Sequence, residues 1–213
     1  MTKRMSQSRN EELLNGWSHA LGLLILLVGM PGLFGKALYE HQSGLTWTLI
    51  PFGLGIVMSY FSSSVYHFSP QGKNKDLWRI LDHISIFFLI GGTYTPVIMM
   101  YIQRPTSVIF LGVMWVIILL GSILKFWYTG KYHNLSTALY VILGWMVILV
   151  IWPLWQNAPV KVLWWIVGGG AFYSSGVYFY KKSYKLYYHF IWHLFVLLGT
   201  VCHVIAIYLA FGG

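Results

Sequence analysis

Seven stretches of about twenty mostly apolar residues, divided by short polar connections, constrain this chain more than any motif does. They fall near residues 17–39, 45–68, 80–102, 107–127, 136–155, 160–180 and 186–211. A hydrocarbon core of about 30 Å takes about 20 helical residues to cross. In lipid a spanning segment has to satisfy its own backbone hydrogen bonds, which an α-helix does. The expected fold is therefore all-α: a polytopic membrane protein, a seven-transmembrane-helix bundle in a single domain over 1–213 with a short polar lead-in at about 1–16. Composition agrees. Hydrophobic residues make up 57% of the chain and charged residues 9%, against roughly 25% charged in soluble domains. Lipid has to solvate much of such a surface.

The connections carry charges and turn formers, as in "SPQGKNKD" (69–76), "QRPTS" (103–107) and "TGKYHN" (129–134). Only "QNAP" (156–159) separates the fifth and sixth stretches, which predicts a tight hairpin. Pro31, Pro51 and Pro96 fall inside spans, where neighbouring helices can satisfy the carbonyls that proline frees. Trp17, Trp78, Trp127 and Trp155 lie near span ends, as interfacial tryptophans do. Cys202 is the single cysteine, so no intrachain disulfide can form.

The formal charge is +9, from 14 Lys and Arg against 5 Asp and Glu. In a soluble protein that excess points to nucleic acid; in a membrane protein it reads as a positive cytoplasmic face, and no nucleic-acid partner is expected. Lys3, Arg4, Arg9, Lys73, Lys75, Arg79, Lys125, Lys131, Lys181, Lys182 and Lys185 share one side. Lys36, Arg104 and Lys161 lie on the other. The expected orientation is N-terminus cytoplasmic and C-terminus outside, in the cell membrane. The polar first 15 residues predict no cleavable signal peptide.

That topology brings four polar groups to one membrane depth: His67 at the end of the second span, Asp82 at the start of the third, and His189 and His193 in the first turns of the seventh. Residues i and i+4 share a helix face, so His189 and His193 can point two imidazoles at one ion. His67 supplies a third, with Ser63 one turn before it. Three protein ligands and an open position form the usual catalytic zinc arrangement, and water in such a site ionises near neutral pH. Asp82 then suits a general base, and Ser63 a hydrogen-bond donor to a ligand or a developing oxyanion. A lone intramembrane histidine is more often a packing residue; the coincidence of four groups favours the metal reading. His83 is about 100° around the helix from Asp82 and is expected to face elsewhere. His203 lies roughly 21 Å deeper than His189 by helical rise and reads as structural, while His41 and His133 read as loop residues. Glu12, Asn15 and His19 line one helical face. They read either as the wet side of an amphipathic lead-in helix or as a polar network supporting the metal-bearing helices. "GGTYTP" (91–96) reads as a packing and kink element.

With these residues in order, the chain resembles the hemolysin III proteins, the bacterial branch of the progestin and adipoQ receptor superfamily. The matching pieces are Glu12-x-x-Asn15-x-x-Ser18-His19, Ser63-x-x-x-His67, Leu81-Asp82 with Gly92-Thr93-Tyr94-Thr95-Pro96 downstream, and His189-x-x-x-His193. The resemblance implies seven helices with the N-terminus inside and a zinc near the cytoplasmic leaflet, bound by His67, His189 and His193. It also implies that Asp82 holds a water at the metal and that Ser63 lies beside it. The receptor members look like zinc-dependent hydrolases of lipid amides, and the bacterial members are linked to membrane lipid homeostasis. Three functions are therefore expected in order: a zinc-dependent hydrolase of lipid amides or esters with membrane lipids as partners; a membrane-state sensor or regulator with structural zinc; and a pore-forming cytolysin.

Overall fold

The structure is a computed structural model that describes residues 7–40 and 43–212. The elements in order are α1 (Arg9–Tyr39), the one-turn α2 (Ser43–Thr46), α3 (Leu49–Phe68), α4 (Lys73–Tyr101), α5 (Thr106–Tyr128), α6 (His133–Gly144), a 3-10 segment (Met146–Val150), α7 (Ile151–Asn157), α8 (Val160–Lys181) and α9 (Tyr188–Ala210). No strand occurs among the described residues. Six segments combine the length and apolar composition needed to cross a bilayer: Arg9–Tyr39, Gly44–Phe68, Lys73–Tyr101, Thr106–Tyr128, Asn134–Asn157 and Tyr188–Ala210. The sixth expected stretch forms α8, whose 22 residues reach about 33 Å at 1.5 Å per residue. Its three consecutive glycines, two serines and three tyrosines dilute its apolar content below that of the other six.

The outer surface is apolar. Leu24, Ile25 and Val28 on α1, Ile109 and Leu120 on α5, and Trp152 and Trp164 farther along are all more than half exposed. Water does not tolerate so continuous an apolar surface on a monomer; this is a multi-pass membrane protein. Inside, α3 packs most extensively on α4 and α8 on α9, while α1 lies against both α3 and α9. Phe52, Ile56 and Tyr60 of α3, Phe87 and Ile98 of α4, and Met114 and Ile118 of α5 belong to one buried cluster, all essentially inaccessible. Lipid tails are as apolar as these side chains, so close packing and interhelical hydrogen bonds hold the bundle together. Glycines permit that closeness. A Cβ on Gly55 would stand 2.6 Å from the Phe88 carbonyl oxygen, and one on Gly92 would collide with the Pro51 carbonyl oxygen. The reading of "GGTYTP" as a packing element rests on these contacts.

Several boundaries differ from the sequence reading. The lead-in at 1–16 is, from Arg9 onward, continuous with the first span. Ser8 starts that helix through a reciprocal capping box with Glu11. Residues 73–76, expected in a connection, are the first turn of α4. The chain reverses instead at 69–72, where Gly72 adopts φ 146°, a value open to glycine. The lysine Nζ of Lys75 then donates to the exposed carbonyls of Tyr66 (3.0 Å) and Ser69 (3.2 Å) at the end of α3, which stabilises a polar extension of α4. The fifth stretch is not one regular helix. The Tyr94 hydroxyl donates to the Gly144 carbonyl (2.7 Å) and accepts from the Val147 amide (2.9 Å). A side chain inserted in the backbone ladder breaks it, and the chain passes through the 3-10 segment before resuming as α7. His133, expected in a loop, opens α6; His41 lies outside the described residues. The tight hairpin is present, with only Ala158 and Pro159 between α7 and α8.

Candidate metal centre

His67 is the penultimate residue of α3 and His189 the second residue of α9, with His193 one turn later. Because α3 and α9 run in opposite directions, the end of one meets the beginning of the other. All three imidazoles are buried, and one ring nitrogen from each lies within 4.8 Å of the others. Ring centroids are 5.2 Å apart for His67–His189, 5.0 Å for His67–His193 and 4.8 Å for His189–His193.

The partners of these rings decide what the cluster can hold. His67 Nδ1 stands 2.7 Å from Glu12 Oε2. His193 Nδ1 stands 3.1 Å from the Asn15 carbonyl, with the Ser18 hydroxyl at 3.1 Å. His189 Nδ1 stands 3.3 Å from Ser183 Oγ, whose own proton goes to the Tyr180 carbonyl at 2.5 Å. A carboxylate and a carbonyl only accept, and the Ser183 oxygen, its proton committed, is left to accept. Each ring therefore carries its proton on Nδ1 and keeps the Nε2 lone pair. A metal-ligating histidine is commonly oriented in this way, through the N–H opposite the metal. His67 Nε2 is buried with no hydrogen-bond partner, a costly state unless something binds it. Three imidazole nitrogens form a donor set suited to zinc. Zinc–nitrogen bonds of about 2.0–2.1 Å place ligands about 3.3 Å apart, which modest ring rotations reach from the present spacing.

A cavity of about 240 Å³ opens beside the cluster, lined by His189 and His193. Asp82, at the tenth position of α4, lines it with 18% of its side chain exposed. Ser63 lies within hydrogen-bonding reach of Asp82. Ser85 ties this region together, donating to the Asp82 carbonyl (2.7 Å) and accepting from Ser62 of α3 (3.3 Å). His83 borders the same cavity instead of turning away; its Nδ1–H is held by the Arg79 carbonyl at 2.7 Å, and it stands outside the trio. His203 is buried elsewhere, stacked on Tyr173 at 5.5 Å in space that Gly169 leaves open.

Glu12, Asn15 and His19 all face inward. Glu12 bridges His67 and Lys75, whose ammonium lies 3.1 Å from its second oxygen. The backbone of Asn15 holds His193, while its side-chain amide donates to Gln7 (3.0 Å). His19 stacks on His193 with centroids 3.8 Å apart, and neither of its buried nitrogens has a partner. The inward face thus makes direct contacts with His67 and His193. Three contributors escaped the sequence reading, in which Ser18 stood only as a position of the family motif. Ser183 was visible only as a small polar residue near a histidine, and nothing local says which lysine of "KNK" turns inward. The third is Glu11: its Oε1 accepts from the Tyr187 amide at 2.8 Å. Tyr187 has φ 61°, a strained conformation for a non-glycine residue, and α9 begins at the next residue.

Residues 7–204 match the family model described as haemolysin-III related. Hemolysin-3 of Bacillus cereus is 31% identical over 200 residues, covering 92% of this chain and 90% of that protein. The hemolysin-3 homolog of Bacillus subtilis (strain 168) is 31% identical over 193 residues, 89% of each chain. The monocyte to macrophage differentiation factor of Homo sapiens is 27% identical over 207 residues, 93% of this chain and 83% of that one. No solved structure matches the chain. The family match runs from the N-terminal polar face through the last histidines, so all three residues of the buried histidine cluster lie inside it: the chain belongs to the haemolysin-III-related family.

Proposed function

We propose that this protein is a zinc-dependent membrane hydrolase acting on amides or esters of lipids in membrane lipid homeostasis. The observation that carries the reading is the buried cluster of His67, His189 and His193, one ring nitrogen from each within 4.8 Å of the others, next to a cavity that Asp82 and Ser63 line. A zinc ion there supplies a Lewis acid that polarises a carbonyl and lowers the pKa of water. The rest is work for the chain itself. Asp82 accepts the proton of the attacking water and returns it to the leaving nitrogen or oxygen, so the products are a fatty acid and an amine or alcohol. The Ser63 hydroxyl donates to the oxygen that gains charge as the carbonyl is attacked. Ile86, Trp192 and Val196 form the apolar side of the cavity. α4 touches α9 only sparingly, and an acyl chain enters from the bilayer between them. The cavity admits the reacting group while the chains stay in lipid.

In this reading α8 is a seventh span, the N-terminus is cytoplasmic, the C-terminus is outside, and the zinc lies near the cytoplasmic leaflet. The eleven-to-three division of Lys and Arg supports that orientation. A reporter active only in the cytoplasm is expected to be silent when fused to Gly213 and active when fused after Lys182. The reverse pattern would remove both the span count and the assigned depth.

A second reading, a membrane-state sensor with structural zinc, draws on His19. Its unpartnered ring lies so close to His193 that a small shift supplies a fourth ligand and closes the open position. The cytolysin reading draws on the names of the Bacillus relatives alone. Fatty-acid release by the purified, zinc-loaded protein from lipid amides and esters in nanodiscs separates hydrolase from sensor. Turnover of at least one is expected; zinc-loaded protein silent on all of them, with a fourth nitrogen at the metal by X-ray absorption, selects the sensor.

A further inference from the structure

At the end of the bundle opposite the histidines lies a second and larger hollow, of about 760 Å³, formed where α2, α4, α5, α7 and α9 come together. Its volume falls within the range of about 300–1,000 Å³ typical of small-molecule sites. Three observations describe its contents. Arg104 and Gln103 line it beside Trp47, Met100 and Tyr101, so a cation and an amide share the space with an apolar and aromatic wall. Ser107 also lines it; that residue is 1% exposed, and its hydroxyl has no hydrogen-bond partner. Among the described residues Arg104 has no acidic partner. The chain has five Asp and Glu residues: Glu40 pairs with Lys36 at 3.7 Å, Asp76 pairs with Arg79, and Glu11, Glu12 and Asp82 surround the histidine end. Of the described Lys and Arg residues, Lys36, Arg104 and Lys161 lie at this end of the bundle, and Arg104 lines the hollow.

From this we infer that the hollow binds the phosphate headgroup of an anionic phospholipid. The guanidinium offers a fork that matches two phosphate oxygens. The buried Ser107 hydroxyl gains the partner it lacks, as buried polar groups generally have one. The lipid's glycerol and upper acyl chain lie along Met100, Tyr101 and Trp47. Tryptophan and tyrosine favour headgroup depth, and the apolar wall, of no use to a free phosphate ion, is what favours a lipid. The site is independent of the histidine cluster and of any reaction there.

The test is native mass spectrometry of the full chain ejected from nanodiscs of equal phosphatidylglycerol and phosphatidylcholine. Phosphatidylglycerol will also adhere to the basic end, so the readout is the number of tightly retained molecules. Arg104→Gln is expected to retain one fewer than wild type, with occupancy of that site reduced about tenfold, the scale of a hydrogen bond to a charged group. Lys161→Gln, at the same end, is expected to retain the wild-type number. Ser107→Ala, which adds no bulk, is expected to lower the same occupancy. Equal retention by wild type and by folded Arg104→Gln and Ser107→Ala would overturn the site. Displacement of the lipid by millimolar inorganic phosphate would overturn the lipid assignment in favour of the soluble ion.

Discussion

Purified protein carrying His189→Ala and His193→Ala together is expected to hold almost no zinc, where the parent holds about one ion per chain, the stoichiometry of a three-histidine site. The double replacement leaves only His67 of the three rings, and one imidazole does not retain a divalent ion through chelating washes. His67→Ala alone is expected to lower zinc strongly as well, since it removes the one ligand that α3 contributes. His203→Ala is the matched control: it removes a buried imidazole from the same helix as His189, but from a ring stack on Tyr173 and not from the cluster. Metal analysis of the four proteins, each checked for helical content, decides the matter. Wild-type zinc in the double variant would eliminate the site, and equal loss in His203→Ala would mean that general destabilisation, not ligation, had been measured.

Asp82→Asn is expected to separate metal from chemistry. Asparagine keeps the size and shape of the side chain but loses its charge and nearly all of its basicity. Asp82 lines the cavity and is not one of the three clustered ligands, so zinc content should fall little, at most by the 10–100-fold in affinity seen when outer groups of a metal site are changed. Fatty-acid release should fall by roughly 10²–10⁴, the usual contribution of a general base. If Asp82 only braces α4 against α3, the outcome differs: melting temperature drops, and any hydrolysis per folded molecule is unchanged. Loss of zinc in proportion to loss of activity would show instead that Asp82 acts on the ion itself.

The helical membrane bundle was readable because apolar runs of spanning length are a one-dimensional signal. The meeting of His67, His189 and His193 was readable for a related reason. Spacing of four fixes a shared face, and the sorting of lysines and arginines fixes which helix ends lie together. Contacts between residues distant in the chain were not readable. The break in the fifth stretch arises because Tyr94, fifty residues earlier, intrudes on Gly144 and Val147; neither segment announces it, since Gly144 alone is compatible with a continuous helix. Glu11 and Glu12 are neighbours of identical chemistry, yet one reaches Tyr187 and the other His67, a division set by α1 lying between α3 and α9. The placement of His83 beside the cavity was missed because a helical angle of about 100° is less than the arc that a cavity on a helix surface subtends.

The clamp between Glu11 and Tyr187 bears on how such a chain is made. It joins α1 with α9, which is synthesised much later, and two of the three clustered imidazoles sit just beyond it on α9. At the usual 5–20 residues per second, roughly 9–35 s separate the synthesis of His19 from that of His193. Through the later part of that interval Glu12, His67 and Asp82 stand without the helix that completes their surroundings, and no earlier intermediate offers all three histidines. A metal ion that needs all three histidines is therefore captured only after α9 has joined α1 and α3, a chemical mark that separates chains in which these helices have met from chains still waiting for α9.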